Sequence, residues 1–441
     1  LGPTYPLYAA LSQHYEVAVY DPQMATRISV ERGNIPTVCP LAGAQAPLYE
    51  RARNDAALAI AQIVTLMRPS AFALDGVKPT PQRLANPNEW LPGMAAVYLT
   101  DVLTNLRALD AFADSGAYDV AGVVTHEDVT PRFRALALWG KARGLPTVHI
   151  PHNNCYLQVR PDVHDERVCD WMLAASPYMR DWYAARGFPK ECIKVAGFPG
   201  WDHWLGKSLG LGKSLGLGKS LNAETSALHP TNVGQRRGER SSASLRPCVP
   251  SSIPRERARA VLQLAQDVPA VLFCTGWAQR TNFVDDHGLM EAAAHLTLQA
   301  AKREGWQVVW KLHPGDAPNR EADYAKLAAS YRVPAAVTRD HLSYCLRAAD
   351  AVLSTGPSNV MIEAGICDTP MATFPLRGYG FDMEPPWTVE PTVEGVVETV
   401  GRLLERKEWE RGRARFLRRY AFKVDGRASE RCVRWIRKII G

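Results

Sequence analysis

Short apolar runs alternate with stretches in which apolar residues recur every three or four positions, the signatures of buried strands and amphipathic helices. In the first part the pattern predicts strands at Tyr15–Tyr20, Ala71–Asp75, Asp119–Thr125, Thr147–Pro151, Cys169–Ala175 and Ile193–Ala196. Helices are predicted at Asn54–Met67, at Glu89 to about Ala113 with a break near Pro92-Gly93, at Pro131–Arg143 and at Pro177–Arg186. The second part repeats the alternation. Helix Pro254–Ala265, strand Ala270–Cys274, helix Asp286–Glu304, strand Gln307–Leu312, helix Arg320–Ala329, strand Ala335–Thr338 and a short helix near Leu342–Arg347 follow in turn. Then come strand Ala351–Leu353, a small-residue turn over Ser354–Ser358, a helix capped by Ser358 or Asn359, and strand Pro370–Phe374. Apolar strands separated by helices of this length imply parallel sheets covered on both faces. The fold class is therefore α/β: two doubly wound, Rossmann-like domains facing a central cleft, with ligands at the carboxyl ends of the strands.

Residues 201–253 interrupt the alternation. Leu205-Gly-Lys-Ser-Leu-Gly210 recurs at 211–216 and, ending in Asn, at 217–222, and a Ser/Arg/Pro-rich run follows to Ser252. A phosphate-binding P-loop needs a Gly five residues before each Gly-Lys, but Trp201, Lys207 and Lys213 stand there. The stretch reads as a flexible linker carrying a tandem duplication. The expected division is 1–200, an acceptor-side domain; 201–253, the linker; 254–410, a nucleotide-binding domain; and 411–441, a basic C-terminal helix that packs back on the first domain.

At 441 residues the chain suits two domains of about 200 residues each. No run approaches the ~18 apolar residues of a membrane-spanning helix. The N-terminus has neither the basic nor the apolar region of a signal peptide. It lacks an initiating Met and begins where a first strand should already have ended, so the chain reads as a fragment or as one numbered from a processed start. Nine scattered cysteines without a CxxC pair fit reduced core residues of a cytoplasmic protein. The net charge of +7 is concentrated at the end, where residues 401–441 hold 14 Lys and Arg against 5 Asp and Glu. A solvated helical face explains this; so does a surface that meets an anionic membrane or a polyanionic acceptor.

Candidate chemistry sits at strand ends. After Ala351–Leu353, the turn formed by Ser354, Thr355, Gly356 and Ser358 leads into a helix N-terminus at Asn359, an anion cradle suited to phosphates. Glu363 follows about one turn inside, within reach of a ribose; a capped helix with a packing Gly is the bland alternative. Val308–Leu312 ends in His313-Pro314, where a positively polarised imidazole would hold a donor phosphate or protonate a leaving oxygen. Thr275-Gly276 forms a second small-residue turn. His126-Glu127-Asp128 ends a first-domain strand and offers a general base, with Glu127 preferred because Asp128 also suits a helix cap. His152 stands at the lip of the next strand. The His, Asp and Glu residues form no evident metal set, and no cofactor is called for beyond a nucleotide-activated donor.

These residues resemble, in order, the motifs of GT-B-fold glycosyltransferases and polymerising transferases of the CDP-glycerol glycerophosphotransferase and capsule-polysaccharide type. The matching segments are GLPTVHIPHNN (144–154), VAGFPGWD (195–202), KLHP (311–314), AADAVLSTGPSNVMIEAG (348–365) and DGRASERCVRWI (425–436). The resemblance implies that His313, Ser354, Thr355, Ser358 and Glu363 bind a donor nucleotide and that His152 faces the cleft. The Asp-Tyr that precedes the serine pair in many such proteins is absent; Thr355-Gly356-Pro357 intervenes between the serines instead. The implied activity is a metal-independent transfer of a sugar or polyol phosphate to a hydroxyl acceptor, in surface polysaccharide or glycoconjugate synthesis. The enzyme would be cytoplasmic or peripheral to the inner face of the membrane.

Three alternatives stand beside it. An isomerase resembling UDP-N-acetylglucosamine 2-epimerase shares the His-Pro and Glu-helix elements, although that family's Thr-Glu-Arg-Pro run is replaced by Phe374-Pro-Leu-Arg-Gly-Tyr-Gly380. A nucleotide-sensing scaffold would have lost its catalytic groups, whereas His and carboxylate residues persist here. A glycosyltransferase acting on nucleic acid would use the basic tail, but no aromatic-basic platform calls for it.

Overall fold

The computed structural model describes residues 5–20, 37–38, 45–66, 91–116, 119–126, 131–151, 168–205, 253–275, 286–313, 316–317, 319–339, 342–355, 358–375 and 388–441. In the first half, helix α1 (Tyr5–Leu11) precedes strands β1 (Val19–Tyr20) and β2 (Thr37–Val38) and helices α2 (Gln45–Leu66) and α3 (Leu91–Asp114). Strand β3 (Val123–Thr125), helix α4 (Pro131–Ala142), strands β4 (Thr147–His149) and β5 (Trp171–Ala174), helix α5 (Pro177–Ala185) and strand β6 (Ile193–Val195) follow. The second half holds α6 (Arg255–Val261), β7 (Ala270–Cys274), α7 (Asp286–Glu304), β8 (Gln307–Lys311), α8 (Arg320–Tyr331), β9 (Ala335–Thr338) and α9 (Leu342–Ala348). It continues with β10 (Ala351–Thr355), α10 (Asn359–Ile366), β11 (Met371–Phe374), α11 (Val393–Glu405), α12 (Lys407–Tyr420) and α13 (Ala428–Ile440).

All described strand pairs are parallel. β1 pairs with β2; β3 to β6 form a sheet in sequence order; the second sheet runs β11-β10-β7-β8-β9. Every residue of β7, β8, β10 and β11 is buried, as expected of strands with helices on both faces. In the first half, β3 is the edge of its sheet among the described residues. A mostly apolar cavity of about 350 Å³ runs along β3 between Tyr15–Ala18 and helices α3, α4 and α13.

Most predicted elements are present, with shifted ends. α2 begins at Gln45 instead of Asn54, because Pro47 sits in its first turn, where a missing N–H costs nothing. Pro92 likewise lies at the start of α3, so the expected break inside that helix does not occur. α6 stops at Val261, short of Ala265, where Gln263 turns left-handed and Leu264 N–H bonds Arg259 O at 2.8 Å. β10 extends through Thr355, because Thr355 still pairs with Phe374 of β11. Ser354 and Thr355 thus belong to the strand, correcting their expected place in the turn. The predicted strand Ala71–Asp75 and the repeats of 205–222 lie outside the described residues.

The chain's end joins both halves. Asp202, in a 3-10 turn over Pro199–Leu205, is buried, and its carboxylate accepts the N–H groups of Ala428 (2.9 Å) and Ser429 (2.7 Å) at the start of α13. Arg431 donates to Ala196 O at 2.7 Å and pairs through both oxygens with Asp425 at 2.8 Å. Gly197 (φ +88°) passes so close that a Cβ there would lie 3.1 Å from both Ala428 Cβ and Arg431 Nη2. Cys432, Val433 and Ile436 of α13 pack with Leu7, Leu11, Val148, Ile150 and Leu173 of the first half. α12 meets α5 through Tyr420 and Tyr178, whose rings are 5.1 Å apart, and meets α10 through Arg413, which donates to Gly365 O at 2.7 Å. The cysteines among the described residues are all free.

Candidate nucleotide-binding site

In the second sheet the chain runs from β7 to β8 and β9 on one side, then returns to place β10 and β11 on the other. β7 and β10 are thus neighbours with connections leaving in opposite directions, a topological switch point at their carboxyl ends. That is the place where doubly wound sheets bind ligands. Ser354 lies in register with Cys274, so Thr275 and Thr355 leave the sheet side by side.

The helix beyond β10 begins at this switch point. Ser358 has extended backbone (φ −146°, ψ 166°) and its Oγ accepts Val360 N–H at 3.2 Å, making it the N-cap. Asn359 is the first helical residue. The N-terminal N–H groups and the dipole of α10 face the switch point, a favourable place for a phosphate.

Glu363 sits one turn in, on the same helix. Part of its surface stays accessible, yet burial pushes its pKa up to about 7 against the opposing pull of Lys311. Among the described residues none donates a hydrogen bond to its carboxyl, and Lys311 is the charge that offsets its burial. Lys311 ends β8, is itself buried, and donates through Nζ to Leu312 O at 2.7 Å. Two buried thiols lie in the same field: desolvation raises Cys345 to about 12, and Cys274 rises as well. Lys311 was not singled out from the sequence. Its signal was a lysine inside an otherwise apolar strand, directly before Leu-His-Pro.

His313 follows Lys311 by two residues and is half-buried. Desolvation holds its imidazole below the usual histidine range, opposed by Asp316 and reinforced by Lys311. Burial thus disfavours the charged form of the ring. Its backbone N–H is shared between Thr275 Oγ1 (2.7 Å) and Asp316 Oδ2 (2.9 Å). Thr275, buried, donates its hydroxyl hydrogen to the same Asp316 oxygen at 2.7 Å.

The structure thus gathers Thr275, His313, Ser354, Thr355, Ser358, Asn359 and Glu363 at the carboxyl edge of one sheet. Ser354 and Thr355 are sheathed by β7 and β11, and Thr373 Oγ1 donates to Ser354 O at 3.1 Å. Gly276, Gly356, Glu127, Asp128 and His152 lie outside the described residues. Next to Glu127, His126 packs edge-on against Phe133 with centroids 4.6 Å apart.

No protein-family model matches the chain, and no curated protein matches it in sequence. Solved structures do resemble it. The crystal structure of UDP-GlcNAc 2-epimerase from Neisseria meningitidis bound to UDP-GlcNAc has a TM-score of 0.51 at 14% identity, covering 78% of this chain and 81% of that one. UDP-GlcNAc 2-epimerase from Methanocaldococcus jannaschii in complex with UDP-GlcNAc and UDP gives 0.47 at 15% identity, covering 77% and 82%. The wall teichoic acid polymerase TagF gives 0.41 at 12% identity, covering 70% and 75%. At such identities the likeness is one of fold: the chain is an α/β protein of the GT-B type, with two parallel sheets flanked by helices.

Proposed function

We propose that the chain is an enzyme that binds a nucleotide-linked donor at the β7–β10 switch point and transfers its sugar or polyol phosphate to a hydroxyl acceptor. The observation that carries this reading is the pairing of a Ser-capped helix N-terminus with a carboxyl group, Glu363, that has no hydrogen-bond donor among the described residues. The donor's phosphates sit on the first turn of α10, and Glu363 takes the ribose hydroxyls. His313, half-buried, hydrogen-bonds the leaving phosphate, while the helix dipole and Lys311 offset its charge without a metal ion. Glu127, with Asp128 and His152 nearby in sequence, serves as general base on the acceptor side. The motif resemblance favours transfer, and the GT-B fold supplies a cleft for it.

The acceptor in this proposal is anionic or lies at an anionic surface. Arg411, Arg415 and Arg418 stand exposed along one face of α12, and Arg434, Arg437 and Lys438 stand exposed on α13. Among the described residues no helix is long and apolar enough to cross a membrane, so contact through this basic surface would be peripheral. Co-sedimentation with phosphatidylglycerol vesicles that is lost in high salt is the expected behaviour.

An isomerase is the second reading, because the fold is shared with a UDP-GlcNAc 2-epimerase over 78% of the chain. Incubation with CDP-glycerol, UDP-GlcNAc and other CDP-, UDP-, GDP- and TDP-linked compounds, with and without EDTA, separates the two. Transfer releases free CMP, UDP or a related nucleotide only when acceptor is added, and it survives EDTA. Epimerisation changes the sugar with no acceptor present. Neither reaction, with no nucleotide bound, sinks both readings.

A further inference from the structure

Two neighbouring strands of the second sheet end on one carboxylate, and a third braces the backbone beside it. Asp316 Oδ2 accepts the Thr275 hydroxyl from the end of β7 and the His313 N–H from the end of β8. Its own N–H closes the turn onto His313 O at 3.0 Å. Arg339, just past β9, donates to Asp316 O at 2.9 Å and to Ala317 O, and its Nε pairs with Glu321 at 3.1 Å. Thr275 N–H adds a bond to Lys311 O at 3.1 Å. The Thr275 hydroxyl is thus engaged as donor and acceptor inside the protein. A turn bearing a half-buried imidazole is held on several sides at once, the arrangement that fixes a side chain before its ligand arrives.

We propose that Asp316 and Thr275 are positioning residues for His313, with Arg339 bracing the turn from β9. This assigns Thr275 an indirect part in donor binding, through the His313 backbone. It also makes the Asp316 carboxylate, with Lys311, the charge that sets the His313 environment. The inference rests on the reading of His313 as a donor-phosphate group. Its test is therefore split between a ligand measurement and one that needs no ligand.

The ligand-free arm follows the His313 imidazole resonances by NMR as pH is varied, with His313→Gln identifying the signal. Asp316→Asn should move the His313 titration to lower pH, and Thr275→Val should shift or broaden the resonances, while Thr275→Ser reproduces the wild type. In the second arm, Kd values for CDP and UDP are measured. Thr275→Val and Asp316→Asn should weaken whichever nucleotide binds by tenfold or more, with Thr275→Ser within about twofold. A merely structural role would lower Tm and leave the His313 titration in place, and that result overturns the proposal. So does wild-type affinity in Thr275→Val. If the wild type binds neither nucleotide, the functional reading fails alone, and the His313 titration of the variants still decides whether Asp316 and Thr275 position it.

Discussion

Two carboxylates, the buried Asp202 and the partly accessible Glu363, come from two of the segments that carry the family resemblance, and they are treated in opposite ways. Desolvation raises the pKa of both. Asp202 accepts two backbone N–H groups at the start of α13, and these bonds oppose its burial. Glu363 has Lys311 in its field and no donor among the described residues. A carboxylate saturated by the protein's own backbone has little left for a ligand and ties distant segments together. One that is partly desolvated and unsaturated beside the carboxyl end of a sheet is costly to keep and suits a ligand's hydroxyls. The motif at 195–202 is thus a clasp between the first half and the chain's end, and that at 348–365 is a cradle.

Replacing each residue sharpens this contrast. The largest stability effect is expected at the clasp. Asp202→Ala leaves two buried N–H groups without a partner and uncaps α13, and should cost about 2–3 kcal/mol in denaturant unfolding. A loss below about 0.5 kcal/mol would mean that α13 is held by its apolar face alone.

Glu363 should behave with the opposite sign. Its folded pKa of about 7 lies above the ordinary glutamate value of 4.5, so the folded state prefers the protonated form. Its contribution is intact below about pH 4.5 and is lost as pH rises through 7. Glu363→Gln should therefore stabilise the protein by about 1–3 kcal/mol at pH 8 and by close to nothing at pH 4. Equal stabilisation at both pH values would show that ionisation is not the cause.

The smallest effect is expected at Gly197, whose left-handed backbone runs beneath α13. Gly197→Ala should cost about 1–2 kcal/mol, part from φ and part from crowding against Ala428 and Arg431. Thermal unfolding of Gly197→Ala with and without Arg431→Lys isolates the part of the crowding that comes from Arg431.

How much of this was legible before the structure follows the range of the forces involved. Helix limits set by local caps were read well: α7 spans Asp286–Glu304 as predicted, and Ser358 caps α10. Strand limits set by a neighbour's register were not. Thr355 is extended because Phe374, nineteen positions away, continues the ladder, and nothing local distinguishes it from a turn residue. β2, only two residues long, carried no period to read. In the site, the sequence pattern placed His313, Ser358 and Glu363 on the right elements. It could not show that the Thr275 hydroxyl is engaged by Asp316, forty-one residues on. It could not show that the charge of Lys311 acts on Glu363 either. The clasp spans 226 positions and was invisible as a contact, although both of its segments stood out.

The most direct test of the central claim is calorimetric titration of the CDP-, UDP-, GDP- and TDP-linked panel into the wild type, Glu363→Ala and Asp202→Ala at pH 7. The account predicts that one nucleotide binds the wild type and Asp202→Ala with similar Kd, and binds Glu363→Ala at least tenfold more weakly. Unchanged affinity in Glu363→Ala, or a loss confined to Asp202→Ala, would contradict it and move the ligand away from the β7–β10 switch point.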